Sequence, residues 1–251
     1  MKTRTSTLGG ATGFAGRRAL VIGGSRGIGR AVALDLAAAG ARVVAAGRNA
    51  AALREAGRVA VARGVEIVAA RADATRRASV RSLVRRAGGP DILVVSMGDY
   101  WEGPLARLTE STWRSLVDSN LTSVLLALQE SLPGMRTRRY GRILLFGVAG
   151  SDAPRAAARA HAYRALKSAL LTLARSVAVE EAANGITVNV ILPGVIRTSG
   201  LPREWRDAAR RIPARRLGTT HEVSRAALFL LAEESGYVTG SALAVSGGYL
   251  L

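Results

Sequence analysis

The chain alternates short apolar runs with segments of helical spacing along most of its 251 residues. Continuous runs of Val, Ile and Leu are typical of strands in a parallel sheet whose two faces are both covered by helices. The intervening segments, such as 28–39 and 111–132, repeat their apolar residues at helical spacing. The strand-like runs lie at 19–24, 41–47, 65–70, 91–98, 142–150, 186–194 and 242–248. The pattern predicts an α/β fold, a single doubly wound domain with a parallel sheet of about seven strands.

The composition excludes several kinds of site and segment. The chain has no cysteine, which excludes disulfides, thiolate nucleophiles and cysteine-bound metals. Its two histidines, His161 and His221, argue against a zinc site, and we expect no metal. No apolar run reaches the roughly 18 residues of a transmembrane helix. Residues 1–16 have a basic start without the apolar core of a secretory signal. We therefore expect a cytoplasmic protein with a flexible leader over 1–16 and one domain over 17–251.

The formal net charge of +18 has two interpretations. A basic chain attracts anionic partners, which include nucleic acids, acidic carrier proteins and phosphorylated cofactors. A chain rich in Ala and Arg but poor in Lys is also what a strong coding bias toward GC produces. The aromatic residues are not interleaved with the basic clusters, as stacking on bases would require. We expect neither a nucleic-acid nor a membrane partner. Two interpretations of the charge stay open: an acidic or phosphorylated partner, and a bias in composition.

A glycine-rich turn follows the first strand-like run. Gly23, Gly27 and Gly29 fit the spacing G-x-x-x-G-x-G between a strand and a helix. Such a turn lets the backbone approach a pyrophosphate closely and presents free N–H groups at a helix N-terminus. Its position after the first strand of a βαβ unit predicts a dinucleotide site. The residues that we expect to bind the cofactor here are Gly23, Ser25, Arg26, Gly27, Ile28 and Gly29.

The end of the second strand-like run favours NADP(H) over NAD(H). A cofactor with a free ribose 2′-hydroxyl favours an Asp or Glu at this position as hydrogen-bond acceptor. The chain has Gly47 and Arg48 there, and Arg26 in the glycine turn supplies a second cation. Two guanidinium groups suit a 2′-phosphate.

Four motifs in order carry a resemblance to a known family. They are GGSRGIG, Asn120, Tyr163-x-x-x-Lys167 and Pro193-Gly194. Over about residues 17–251 the chain resembles the short-chain dehydrogenase/reductases, and within them the 3-oxoacyl-[acyl-carrier-protein] reductase-like group. The resemblance implies a Rossmann-type domain, NADP(H) as cofactor, a carbonyl substrate that is anionic or bound to a carrier protein, and a homotetramer or homodimer.

Tyr163 and Lys167 are the expected catalytic pair. Residues four apart lie on one face of a helix. A tyrosine hydroxyl titrates near pH 10, and a nearby ammonium lowers that pKa. Lys167 is one of only two lysines among 36 basic residues, the other being Lys2. An arginine would be too bulky for a compact site and would not readily release a proton.

The resemblance assigns further roles residue by residue. It implies that Asn120 holds a water in a proton relay with Lys167 and that Asp73 contacts the adenine. It also implies that Gly98 permits close approach of the backbone to the cofactor. The loop that holds the nicotinamide carboxamide is matched by Pro193, Gly194, Ile196 and Thr198. Asn120, Tyr163 and Lys167 count as both catalytic and cofactor-binding residues.

Two family motifs are altered in this chain. The family's Asn-Asn-Ala-Gly is replaced by Val95-Ser96-Met97-Gly98. The family's catalytic serine falls on Val148 or on Gly150, depending on the alignment, and neither has a hydroxyl. Ser151 could substitute only if its loop were rearranged. Other candidates for the missing hydroxyl are Ser96, Tyr100 and the substrate itself, and a lost donor of this kind costs about 2–4 kcal/mol.

Two functions are compatible with these residues. The first is an NADPH-dependent ketoreductase in which Tyr163 is the general acid. The alternative is an NADP-binding protein without redox turnover, either a scaffold or regulatory subunit or a protein recruited to cyclisation or dehydration. The altered motifs motivate the alternative.

Six arginines surround Trp205 in the segment 198–218, where relatives close over substrate. Helical spacing predicts a positive rim for an anionic substrate, although a solvated face of an Arg-rich chain explains the same pattern. They are Arg203, Arg206, Arg210, Arg211, Arg215 and Arg216. Arg139 matches a carrier-docking arginine of relatives, but its partner position holds Asn184.

Overall fold

The computed structural model describes residues 13–153, 156–157, 159–198 and 203–250, with only the backbone at 203, 204, 206 and 207. The strands are β1 Arg18–Ile22, β2 Arg42–Gly47, β3 Ile67–Arg71, β4 Ile92–Val95, β5 Gly141–Phe146, β6 Ile186–Pro193, β7 Ile196–Arg197, β8 Gly218–Thr219 and β9 Ala242–Val245. The α-helices are α1 Gly27–Ala38, α2 Ala50–Ala62, α3 Arg77–Arg86, α4 Glu110–Val117, α5 Ser123–Arg138, α6 His161–Glu181 and α7 Thr220–Leu231.

Seven strands form one parallel sheet in the order β3-β2-β1-β4-β5-β6-β9. The predicted α/β class and the seven-stranded sheet are thus confirmed. Strands added on opposite sides of β1 leave a crevice where the strand order reverses, at the carboxyl ends of β1 and β4. Several apolar runs of the sequence extend past their strands, because those last residues form the loops that border this crevice.

Helices pack on both faces of the sheet. Leu128 of α5 and Leu170 of α6 belong to the apolar core on one face. Leu36 of α1 and Leu230 of α7 belong to the core on the other face. Both faces of the central strands are therefore buried, which explains their unbroken apolar sequences.

The packed part of the chain begins before the expected boundary at residue 17. Phe14 is buried in the core beside α1. Its backbone N–H donates to the carbonyl oxygen of Ala39 over 3.0 Å. Residues 13–16 therefore belong with the domain, while residues 1–12 of the expected leader lie outside the described residues. Within the described part of the chain, no helix is long and apolar enough to cross a membrane.

The segment 111–132, expected to be one helical stretch, consists of two helices joined by a π-helical turn. The turn spans Asp118–Thr122 and contains Asn120. A π turn inserts an extra residue into a helix and turns the side chains near it, which occurs often at functional sites. The periodicity of apolar residues does not reveal this interruption.

Candidate active site

The crevice at the ends of β1, β2 and β4 contains a cavity of about 540 Å³. Its position is where open α/β sheets bind their ligands. Eight of the expected cofactor-binding residues line it: Gly23, Ser25, Arg26, Gly27, Ile28, Arg48, Gly98 and Thr198. Gly29, also expected there, is buried beneath the turn. The structure thus brings half of the sixteen predicted cofactor residues to this cavity.

The glycines of the turn meet the sequence-based requirement for close backbone approach. A Cβ on Gly29 would lie 2.3 Å from the carbonyl oxygen of Gly23. A Cβ on Gly23, whose φ is +86°, would lie 2.1 Å from the carbonyl oxygen of Ser96. Arg26, at the N-cap of α1, makes no capping hydrogen bond through its side chain. The glycines thus let the turn pack tightly against its own backbone and the end of β4. The N-terminus of α1 borders the cavity without a side-chain cap, and this arrangement fits a pyrophosphate group.

A carboxylate lies beside Arg48, which the sequence analysis did not anticipate. Asp99, directly after Gly98, accepts a hydrogen bond from Nη2 of Arg48 at its Oδ1 over 3.2 Å. The acidic residue that accepts from a ribose 2′-hydroxyl is expected at the end of β2, whereas Asp99 lies beyond the end of β4. Only the strand order, which places β2 and β4 on either side of β1, brings the two residues to one cavity.

A second cavity of about 470 Å³ adjoins the first and is lined mainly by apolar and aromatic side chains. Five residues line both cavities: Ile28, Ser96, Met97, Gly98 and Thr198. Tyr163 and Lys167 lie in the second cavity, as do the expected carboxamide-loop residues Pro193, Gly194 and Ile196. Trp205 and Tyr249 also line it, and the sequence analysis gave Tyr249 no role. The two cavities form one trench suited to a dinucleotide and a carbonyl compound side by side.

Lys167 is buried and anchored beneath Tyr163. Its Nζ donates to the carbonyl oxygen of Phe146 over 2.8 Å and lies 5.6 Å from the centroid of the Tyr163 ring. Burial lowers the pKa of Lys167 to about 8. The position explains why a compact ammonium occurs here, since a guanidinium would need more space and more acceptors.

The expected lowering of the Tyr163 pKa is not observed in the protein alone. Burial raises the pKa of Tyr163 to about 12, and the charge of Arg164 offsets only part of that effect. Lys167 lies beneath the ring, and burial outweighs any effect of its charge on the hydroxyl. Tyr163 is consequently protonated at neutral pH, which is the form that a general acid needs.

Asn120 braces the loop that follows β4 and does not line either cavity. Its Nδ2 donates to the carbonyl oxygens of Asp99 over 3.1 Å and Leu116 over 3.0 Å. Its Oδ1 is buried without a hydrogen-bond partner. A Cβ on Gly98 would lie 2.3 Å from that oxygen. A buried acceptor without a partner is a place for a water, so the residue suits the expected relay.

Val148, one of the two positions that align with the family's serine, lies at the second cavity, which is called the substrate cavity below. Val148 lines this cavity, whereas Ser151 lines another cavity of about 670 Å³ behind α6. Ser96 turns toward the glycine turn, where its Cβ lies 3.1 Å from a Cβ built on Gly29. Of the expected substitutes on this chain, Tyr100 is the one that lines the substrate cavity and neither of the other two cavities.

Other predicted residues lie elsewhere. Asp73 lines neither cavity, and its carboxylate accepts from the N–H and hydroxyl of Thr75, which lowers its pKa. Arg139 donates to the carbonyl oxygen of Ala183. Asn184 donates to Glu181.

The arginine rim is not found in the described part of the chain. Arg203–Arg211 is a 3₁₀ helix, so the spacing expected for an α-helix does not apply. The described side chains Arg210, Arg211, Arg215 and Arg216 are exposed and line neither cavity. Arg216 pairs with Glu222 over 2.6 Å. The side chains of Arg203 and Arg206 lie outside the described residues. Among the described side chains of 203–218, Trp205 is the one that lines the cavity.

Comparisons with known proteins agree with this geometry. A family model described as "Enoyl-(Acyl carrier protein) reductase" matches residues 22–250. The chain is 36% identical over 247 residues to 3-oxoacyl-[acyl-carrier-protein] reductase FabG of Escherichia coli (strain K12), covering 94% of this chain and 98% of that protein.

Two solved structures contain different cofactors. The blue fluorescent protein from a metagenomic library in complex with NADPH has a TM-score of 0.87 at 30% identity, over 96% of this chain and all of its own. The 3-oxoacyl-[acyl-carrier protein] reductase with bound NAD from Brucella melitensis has a TM-score of 0.88 at 27% identity. The match covers 100% of this chain and 98% of that chain.

Proposed function

Because the chain belongs to the short-chain dehydrogenase/reductases, among the 3-oxoacyl-[acyl-carrier-protein] reductase-like members, we propose that it is an NADPH-dependent reductase of ketones. The observation that carries this proposal is the buried pair Tyr163 and Lys167 in a cavity that adjoins a dinucleotide cradle. When bound, the cofactor supplies the hydride. The relatives named reductases give no support to a binding protein without turnover.

Tyr163 is proposed as the proton donor to the carbonyl oxygen. Its hydroxyl is protonated at neutral pH because burial raises its pKa to about 12. An alkoxide that develops on the substrate is the stronger base and takes this proton. Lys167 stabilises the tyrosinate that remains, since its Nζ is held beneath the ring by the carbonyl oxygen of Phe146. Asn120 completes the relay through a water at its unpaired Oδ1.

Tyr100 is proposed as the second donor to the carbonyl oxygen, in place of the family's serine. It lines the same cavity as Val148 and stands against Tyr163. In the protein alone its hydroxyl donates to Oε2 of Glu102 over 2.6 Å. A substrate oxygen beside Tyr163 can replace that exposed acceptor.

NADPH is proposed as the preferred cofactor because Arg26 and Arg48 both border the cavity at the end of β2. Guanidinium groups pair with a phosphate through charge-assisted hydrogen bonds. Asp73 and the carboxamide-loop residues keep the roles that the resemblance implies for them.

The proposed substrate is a ketone with an apolar body, a class that includes β-ketoacyl thioesters. Tyr100, Phe146, Val148, Trp205 and Tyr249 give the cavity a largely apolar wall. Such walls bind apolar groups by removing their surface from water. The relative from Escherichia coli is named for a carrier-bound substrate of this kind. A carrier protein remains a proposed partner, and Arg139 its proposed contact.

We also propose a homotetramer or homodimer located in the cytoplasm. Leu125 on α5 and Val179 on α6 are 42% and 82% exposed. Apolar side chains on two neighbouring helices suit a contact between subunits. Light scattering at micromolar concentration tests the assembly, and a monomeric mass would contradict it.

The proposed function is tested by NADPH oxidation at 340 nm across a panel of ketones and β-ketoacyl thioesters. We expect turnover by the wild type and a loss of at least about 100-fold in Tyr163→Phe. Tyr237→Phe is the matched control, since Tyr237 is fully exposed. Both variants must still bind NADPH in calorimetry, so that the loss of turnover is not a loss of the cofactor. Cofactor binding without turnover on any substrate would support the non-catalytic alternative.

A further inference from the structure

Asp99 brings a negative charge into the cavity where the adenosine end of the cofactor is expected. Its carboxylate is 42% exposed and pairs across the cavity with Arg48, which is 58% exposed. Resting on the proposed function, we propose that Asp99 sets the preference between NADPH and NADH by competing for Arg48. The residue is then a determinant of cofactor specificity that opposes the two arginines.

The competition arises because two anionic groups, the Asp99 carboxylate and the 2′-phosphate of NADPH, would both pair with the one guanidinium of Arg48. Arg48 binds a carboxylate or a phosphate in the same fork geometry. A 2′-phosphate on the ribose must therefore replace Asp99 or share Arg48 with it, and it also meets the repulsion of a second negative charge. A ribose 2′-hydroxyl has the opposite preference, because it can donate to a carboxylate. Asp99 thus costs affinity for NADPH and contributes affinity for NADH.

Asp99 is the fixed member of the pair. Its backbone N–H donates to Oγ of Ser119 over 3.1 Å, and its carbonyl oxygen accepts from Nδ2 of Asn120 over 3.1 Å. The hydroxyl of Ser115 approaches the other carboxylate oxygen at 3.4 Å. Arg48 has the longer and more exposed side chain, so it is the partner that moves when a phosphate enters. The carboxylate stays at the cavity after Arg48 has left it.

The test is Asp99→Asn, which removes the charge and keeps the shape and the backbone contacts. Dissociation constants for NADPH and for NADH are measured by isothermal titration calorimetry at low salt, where exposed charges are least screened. We expect NADPH to bind Asp99→Asn about two- to fivefold more tightly than it binds the wild type, a change of the size that an exposed ion pair contributes. The affinity for NADH should stay constant or fall. The ratio of the two constants therefore shifts toward NADPH.

Two further variants separate the mechanism from a general charge effect. Asp152→Asn removes an exposed carboxylate that lines the cavity behind α6, and we expect no change in the ratio. In an Arg48→Gln background, Asp99→Asn should tighten NADPH far less than in the wild type. Equal tightening there would overturn the competition for Arg48.

The results for this inference and for the proposed function are distinguishable. A wild type that binds a nicotinamide cofactor, together with an unchanged ratio in Asp99→Asn, overturns the role of Asp99 and leaves the reductase standing. A wild type that binds neither NADPH nor NADH overturns the proposed function and this inference with it. A shift of the ratio toward NADPH that is much larger with Arg48 present than in the Arg48→Gln background supports the inference.

Discussion

The ring of Tyr100 stands edge-on to the ring of Tyr163, with centroids 5.0 Å apart and planes at 82°. Aromatic pairs prefer this arrangement, which is worth about 0.5–1.5 kcal/mol beyond the area that they bury. The contact fixes the loop after β4 against the first turn of α6. It also places two phenols at one cavity from which the serine hydroxyl of relatives is missing.

The Tyr100 hydroxyl is predicted to contribute to turnover. Tyr100→Phe keeps the ring contact and removes the donor, so we expect kcat to fall about tenfold or more with NADPH affinity unchanged. Val148→Ser places a hydroxyl in the same cavity, and it should restore more activity to Tyr100→Phe than it adds to the wild type. Steady-state kinetics of the four proteins measure this. Full activity in Tyr100→Phe would show that the Tyr100 hydroxyl is not the second donor to the carbonyl oxygen.

The buried Lys167 is predicted to make stability rise with pH between about 8 and 10. Its pKa is about 8 in the folded protein, against about 10.4 in an unfolded chain. In that interval the unfolded chain binds more protons, so the free energy of unfolding increases with pH, by about 1–2 kcal/mol. The raised pKa of Tyr163 acts in the opposite direction, but only above about pH 10.

Urea denaturation at pH 7.5 and 9.5 measures this effect. The rise should vanish in Lys167→Met and persist in Lys2→Met, which removes the other lysine. The interval is favourable because a chain with two lysines and no cysteine has few other groups that titrate there. A rise of the same size in Lys167→Met would contradict the assignment.

Gly98 is predicted to tolerate no side chain. Its φ is +150°, and a Cβ would lie 2.3 Å from Oδ1 of Asn120. Gly98→Ala should therefore destabilise the protein by about 1–3 kcal/mol and displace Asn120, with a loss of activity at least as large as tenfold. Gly57→Ala in α2 is the control, because a Cβ there meets nothing within 4 Å. That change should stabilise by about 0.5–1 kcal/mol. Equal effects of the two variants in thermal denaturation would refute the argument.

Trp205 is predicted to select substrates with an apolar body. Trp205→Ala removes part of the cavity wall, so KM for an aryl ketone should rise about tenfold while kcat changes little. A small aliphatic ketone should show no such rise. Trp113→Ala on α4 is the control, because Trp113 is 40% exposed and lines neither cavity. An equal rise in KM for both ketones would remove Trp205 from substrate selection.

The fold was largely predictable from the sequence, because parallel strands and amphipathic helices have different apolar periods. The glycine turn was predictable too, since its spacing follows from backbone sterics. Local patterns could not reveal the π turn at Asn120, because the helices on either side of it keep a helical period. They also could not show that Phe14 packs into the core, as it stands among Gly and Ala residues with no period of its own.

The site was less predictable where it depends on residues distant in the chain. Arg48 and Asp99 are 51 residues apart, and only the strand order makes them neighbours. The charge of Lys167 by itself predicts a lowered pKa for Tyr163. Burial raises that pKa, and the spacing of the two residues in the sequence does not show how deeply they are buried. Two alignments place the family's serine position at Val148 or at Gly150, and these residues line different cavities: Val148 lines the substrate cavity, whereas Gly150 and Ser151 line the cavity behind α6.

The wall shared by the two cavities constrains the order of events in a catalytic cycle. Ile28, Met97 and Thr198 border both spaces. A ketone that enters an empty trench rests against surfaces that a cofactor has yet to cover, and it obstructs the way to them. We therefore expect the cofactor to bind before the ketone and the alcohol to leave before the oxidised cofactor is exchanged.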